Sequence, residues 1–174
     1  AIGRSKFPEL VFGLNLNGEY KGFDIQLFFQ GAGLTTYGYT GFLAHPYSEG
    51  KGSTLFEHHI NNTWTPENRD AEFPRLYYGG NPNNNYTSSF WQRDGSYLRL
   101  KNIEIGYDFK KYLLKNVAMI QGLRLFASAQ NLFTISAIKY MDPELRTDNA
   151  TDAGMDGSAY PQMKNYTLGV NITF

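Results

Sequence analysis

No cysteine occurs in these 174 residues, so disulfide staples, zinc–thiolate clusters, iron–sulfur centres and a cysteine nucleophile are excluded. Charge of one sign is lacking too. The 16 Lys and Arg balance the 16 Asp and Glu, which argues against a chain that grips phosphate backbones by bulk charge, and no nucleic-acid partner is expected. Long apolar runs are missing: the longest, Val117 to Ile120, falls far short of the roughly 18 residues of a membrane-spanning helix. A helical membrane protein is thereby excluded, but not a membrane barrel, whose strands carry apolar residues only at every second position. Ala1 to Pro8 include neither an initiating Met nor a signal-peptide pattern, and the expectation is a piece of a longer chain. Catalytic groupings are absent as well. Ser128 and Ser136 have no nearby His, and no Gly-rich loop opens a helix to cradle phosphate, so neither an enzyme nor a cofactor is expected.

What the sequence does contain is β structure. Its 18 Gly, 13 Tyr and 13 Phe suit strands broken by turns. Period-two alternation predicts an all-β fold of antiparallel strands over residues 10–20, 23–31, 96–109, 122–134 and 163–174. In the first, Phe12, Leu14, Leu16 and Tyr20 alternate with Gly13, Asn15, Asn17 and Glu19. Ile103, Ile105 and Tyr107 oppose Asn102, Glu104 and Gly106 in the third, where Arg99 and Lys101 fall on the face that is apolar lower down. The connections alternate short and long: Lys21–Gly22, then 32–95, then 110–121 with room for a short helix, then 135–162. Hairpin connections of an antiparallel sheet fall on opposite ends in turn, so one end carries short turns and the other long loops, as in outer-membrane barrels. About 11 residues at roughly 3.3 Å each, tilted by about 45°, also match the height of a barrel's apolar band, with Arg99 and Lys101 above the hydrocarbon.

Alternation alone fits a soluble β-sandwich better. The one-sided loop lengths and the final stripe of Tyr166, Leu168, Val170, Ile172 and Phe174 turn the reading towards the barrel. That ending resembles the C-terminal assembly signal of outer-membrane proteins. Trp64-Thr65-Pro66-Glu67-Asn68, Ser96 to Asn102 with Gly106-Tyr107, Leu125 with Ser128 to Thr134, Asp142-Pro143-Glu144 and Tyr160-Pro161-Gln162 resemble, in order and spacing, the C-terminal part of SusC/RagA-family TonB-dependent transporters of Bacteroidota. The resemblance implies the last five strands of a 22-stranded transmembrane barrel in the bacterial outer membrane, with 32–95 and 135–162 as extracellular loops. It also implies a role in importing oligosaccharides or oligopeptides. The partners it implies are the remaining N-terminal strands and plug, a SusD-like lipoprotein lid, TonB acting through the N-terminal part, and outer-membrane lipid. The alternatives are a soluble carbohydrate-binding β-domain and a passive outer-membrane porin. Five strands cannot close a membrane barrel, so other strands must complete it.

Within that frame, Trp64, Tyr77, Tyr78, Tyr86 and Trp91, with Phe90, place flat rings in a loop rich in Asn, Gln and Ser, suited to stacking on sugars, lining a peptide path or meeting the lid. The same rings also suit a small core of the loop's own. Phe28, Phe126 and Leu132 interrupt the polar face and are expected to pack on a plug. His45, His58 and His59 lie in the first long loop near Glu57, but adjacent histidines in an extended segment point apart, and no metal is expected. Asp148, Asp152 and Asp156-Gly157 miss the calcium-loop spacing and read as solvated acids, and the Asn-x-Thr triplets, such as Asn165-Tyr166-Thr167, as incidental.

Overall fold

The computed structural model describes residues 3–47, 55–79, 81–116, 118–144, 154–155, 160 and 162–174. Its strands are β1 (Leu10–Tyr20), β2 (Phe23–Gly33), β3 (Thr36–Tyr39), β4 (Gln92–Asp94), β5 (Tyr97–Asp108), β6 (Gly122–Ser136), β7 (Gly154–Met155) and β8 (Asn165–Thr173). Three short helices, α1 (Gly41–Ala44), α2 (Glu57–Asn61) and α3 (Phe109–Tyr112), complete it with two 3-10 turns. The residues fall into two units, one of 10–33, 97–136 and 162–174, the other of 1–9, 34–96 and 137–161.

The first unit is one antiparallel sheet in the order β1-β2-β5-β6-β8. Its strands occupy the five alternating stretches, with β2 and β6 each running two residues further than the alternation suggested. Lys21 and Gly22 close the first hairpin with φ of 48° and 91°, both positive, the geometry whose twist matches the flanking strands. Pairing Leu16 with Leu27, Leu27 with Ile103 and Ile103 with Ala129 puts every strand's apolar residues on a common face.

Midway up β5 the register shifts. Phe28 and Phe29 of β2 are consecutive, yet their partners are Asn102 and Leu100, so Lys101 is an extra, bulged residue. On the other side Asn102 and Leu100 meet Gln130 and Phe133, and Asn131 takes φ 52°, a conformation that Asn tolerates. An extra residue inverts the alternation beyond it. This corrects the placement of Arg99 on the outward face. Arg99 is instead buried on the polar face between Gln30 and Thr134, donating from Nε to Thr134 Oγ1 at 2.8 Å, while Leu98 and Leu100 continue the apolar stripe.

The second unit shows that 32–95 is more than a loop. It has a small sheet ordered β4-β3-β7, with β3 antiparallel to β4 and parallel to β7. Its core gathers Tyr37, Tyr39, Leu43, Ala44, Phe73, Trp91 and Ile138, with Tyr140 and Met141 packed against them.

Candidate functional site

The sheet offers two faces of opposite chemistry. On one, Leu14, Leu16, Ile25, Leu27, Leu100, Ile103, Ile105, Leu125, Leu168 and Val170 form a stripe across all five strands. Leu100 is buried, but among the described residues most of the stripe is open: Phe12 is 42%, Ile105 46% and Leu168 86% exposed. Aromatic residues stand at both ends of the stripe. Phe12, Phe29, Phe133 and Tyr166 step across one end, and Tyr20, Phe23, Tyr107, Phe109 and Phe174 across the other, with Phe23 and Tyr107 centred 4.5 Å apart. Both rows descend in the same sense from β1 to β8, as level lines do on tilted strands. From Phe12 to Tyr20 is about 26 Å along the strand, or about 20 Å of height at a tilt near 40°, within the apolar band of a membrane barrel.

The opposite face carries Asn15, Asn17, Gln26, Asn102, Ser128, Gln130, Asn165 and Thr167. Nearer the short turns, Arg124 of β6 reaches across Gly106. It donates through Nε to Asp24 Oδ2 at 3.0 Å and through Nη2 to Asp24 Oδ1 at 2.5 Å and Glu104 Oε1 at 2.7 Å. One guanidinium thus ties β2, β5 and β6, and a Cβ on Gly106 would collide with it. Phe126 lies over Gly169 on the neighbouring strand, and Phe28 against Gly13. The sequence carries no local sign of this triad, because its members are up to 100 residues apart.

In the second unit α2 aims His58 and His59 into the core. His59 is fully buried: the Phe56 N–H donates to its Nδ1 at 3.2 Å, which leaves Nε2 as the donor to the Leu43 carbonyl at 2.7 Å. Burial, opposed by that carbonyl bond and aided by His58 and His45, pushes its pKa down to about 4. The expectation that the pair points apart fails because the dipeptide is helical, with ring centroids 4.0 Å apart. His58 stacks on Tyr140 at 4.2 Å, and His45 meets the Trp91 ring edge-on at 4.7 Å. Among the described residues, no three His, Asp or Glu side chains converge as metal ligands would. Glu72 is a hub, accepting from Tyr140 Oη at 2.7 Å, Arg93 Nη2 at 3.2 Å and Asn62 Nδ2 at 3.3 Å. Burial raises its pKa, but the bonds from Tyr140 and Arg93 and the charge of Lys139 outweigh that and hold it below the usual carboxylate range.

Of the rings singled out as contacts, Trp91 is corrected. It is buried in the core, with Nε1 donating to the Asn84 carbonyl at 2.8 Å, because a folded excursion of this length needs a hydrophobic centre. Trp64, Tyr77, Tyr78 and Tyr86 remain on the surface, Tyr78 and Tyr86 most fully, and no ring contact joins these four among the described residues. Asp148, Asp152, Asp156 and Gly157 lie outside the described residues.

No family model matches the chain. Comparison with curated proteins finds TonB-dependent receptor P3 of Formosa agariphila, 33% identical over 96% of this chain and 16% of that protein. The TonB-dependent receptor SusC of Bacteroides thetaiotaomicron is 31% identical over 95% of this chain and 15% of that protein. The chain therefore spans about a sixth of the length of these relatives. Among solved structures, the RagAB peptide transporter matches in fold with a TM-score of 0.71 at 24% identity, covering 99% of this chain and 18% of that one. The closed-closed state of the RagAB peptide importer matches at 0.68 and 25% identity, with the same coverage.

Proposed function

This chain belongs to the SusC/RagA-type TonB-dependent receptors and corresponds to a C-terminal portion of them, and on that premise we propose that it supplies the last five strands of a 22-stranded outer-membrane barrel. The whole protein is an importer of oligosaccharides or oligopeptides and not an enzyme. It works with a SusD-like lipoprotein and is driven by TonB through its N-terminal part. The strands face lipid with one side and the lumen with the other, while 32–95 and 135–162 are extracellular loops. Trp64, Tyr77, Tyr78 and Tyr86 offer exposed rings to substrate or lid. The stripe Tyr166, Leu168, Val170, Ile172 and Phe174 serves as the assembly signal.

The observation that supports this best is the uncovered apolar face between two aromatic rows. It calls for single cysteines in the full receptor, embedded in membranes. At Leu14, Ile25, Ile105 and Leu168, where hydrocarbon keeps the thiol un-ionised, they should resist a charged maleimide until the receptor is unfolded, and at Gln26, Glu104 and Thr167 they should react with it in the folded receptor. Equal labelling of both sets by the charged reagent would sink the reading.

A further inference from the structure

We propose that the short-turn end of the large sheet is a binding surface for the phosphate headgroups of anionic phospholipids, centred on Lys21 and Lys115; the proposal rests on the membrane reading above. Charge is the first ground. The two connections at this end, 21–22 and 109–121, carry Lys21, Lys110, Lys111 and Lys115 and no Asp or Glu, in a chain whose overall charge is balanced. Level is the second: the row of Tyr20, Phe23, Tyr107, Phe109 and Phe174 marks where apolar surface gives way to polar, the depth of headgroups on a membrane barrel.

The third ground is how the ammonium groups are held. Lys110 of α3 donates to the Leu114 carbonyl just past the helix at 3.1 Å and weakly to that of Lys115. Lys111 and Lys21 both line a depression of the polar face together with Glu19, Asp24, Glu104 and Asp108, whose charge offsets part of theirs. Lys21 and Lys115 form no ion pair among the described residues. Lys21 Nζ lies 5.2 Å above the exposed Tyr20 ring, and Lys115 Nζ lies 5.8 Å from the Tyr112 ring, which Lys111 also approaches at 5.9 Å. Two like charges over one ring repel unless an anion joins them. Leu113 and Met119, 66% and 79% exposed in the same connection, add apolar contacts that a free inorganic anion would not use but an acyl chain would.

The test uses the full receptor, stripped of lipid in mild detergent and titrated with phosphatidylglycerol, with phosphatidylcholine as control and retained lipid counted by native mass spectrometry. Wild type should retain phosphatidylglycerol in preference. Lys21→Gln and Lys115→Gln should each lower that retention about fivefold, and Lys139→Gln, in the other unit, should leave it unchanged. Unchanged retention in the Lys21→Gln/Lys115→Gln double variant overturns the proposal. So does complete displacement of lipid by millimolar inorganic phosphate, which would mark a plain anion site. If the Ile105 and Leu168 cysteines stay lipid-confined while retention is unaffected, only the headgroup surface fails; if those cysteines are open to water, the membrane reading falls with it.

Discussion

At the scale of single residues, the unit around Tyr39 and Phe73 is sensitive to acid because its histidines are held neutral. His59 titrates near pH 4 when folded, where burial excludes the charge, and near 6.5 when unfolded. Between those values the unfolded chain binds more protons than the folded one. Stability should therefore be full above pH 6.5, fall as pH drops towards 4 and then level off for this residue. His45 and His58, also lowered by burial, add in the same direction, and Glu72 adds a further loss below its ordinary range. Thermal melting of the full receptor followed by hydrogen exchange of the α2 amides should show this slope, and His59→Gln should flatten it. A melting profile of wild type that is level from pH 7 to 4.5 would contradict the buried neutral ring. Trp91→Ala should cost about 3 kcal/mol by leaving a cavity in this core, whereas Tyr78→Ala, at an exposed ring, should stay within about 0.5 kcal/mol by the same measurement.

For the elements, glycines opposite aromatic rings govern strand packing. Phe12 lies over Gly31 on the apolar face, and a Cβ at Gly31 would collide with that ring and sit 2.7 Å from the Tyr97 carbonyl oxygen. A ring can swing aside, but the backbone carbonyl of a central strand cannot without breaking the ladder. Gly31→Ala should therefore lower stability by about 2 kcal/mol, seen as a lower temperature at which the folded gel band of the receptor disappears. Gly38→Ala, where a Cβ meets nothing within 4 Å, is the matched control and should not move that temperature. The five long strands were legible in the sequence because each has one apolar side and so writes its geometry at period two. Upper β5 was misread because the change of phase between Leu100 and Ile103 looks in sequence like charge turned outward, and only pairing with β2 shows that Lys101 is a bulged residue that absorbs it. The smaller unit left no periodic trace. Its core draws single residues from Tyr37 to Ile138 around a helix of five residues, too short for an amphipathic pattern, so His58 and His59 read as extended and Trp91 as a surface ring.

As a whole, the described sheet leaves surface unsatisfied in either solvent, for two independent reasons. Among the described residues β1 and β8 are the edges of the sheet, each bonded on one side only. In hydrocarbon, alternate residues of an edge as long as β1 expose about ten unpaired backbone groups, costing on the order of 20 kcal/mol, so the sheet cannot stand alone in lipid. In water those groups are satisfied, but the exposed rows from Phe12 to Leu168 exceed the few hundred Å² of contiguous apolar patch that a monomer tolerates. Neighbouring strands at both edges remove the first cost and a bilayer removes the second, and neither remedy replaces the other. The 174-residue chain produced alone in detergent-free buffer should therefore sediment as aggregates, and mild detergent should shift it to small oligomers paired edge to edge without restoring a monomer. Analytical ultracentrifugation in the two media decides the matter. A discrete monomer in plain buffer, with the amides of Ile105 and Leu168 protected from exchange, would mean that the apolar face has found a cover within the chain itself and that the membrane is not its solvent.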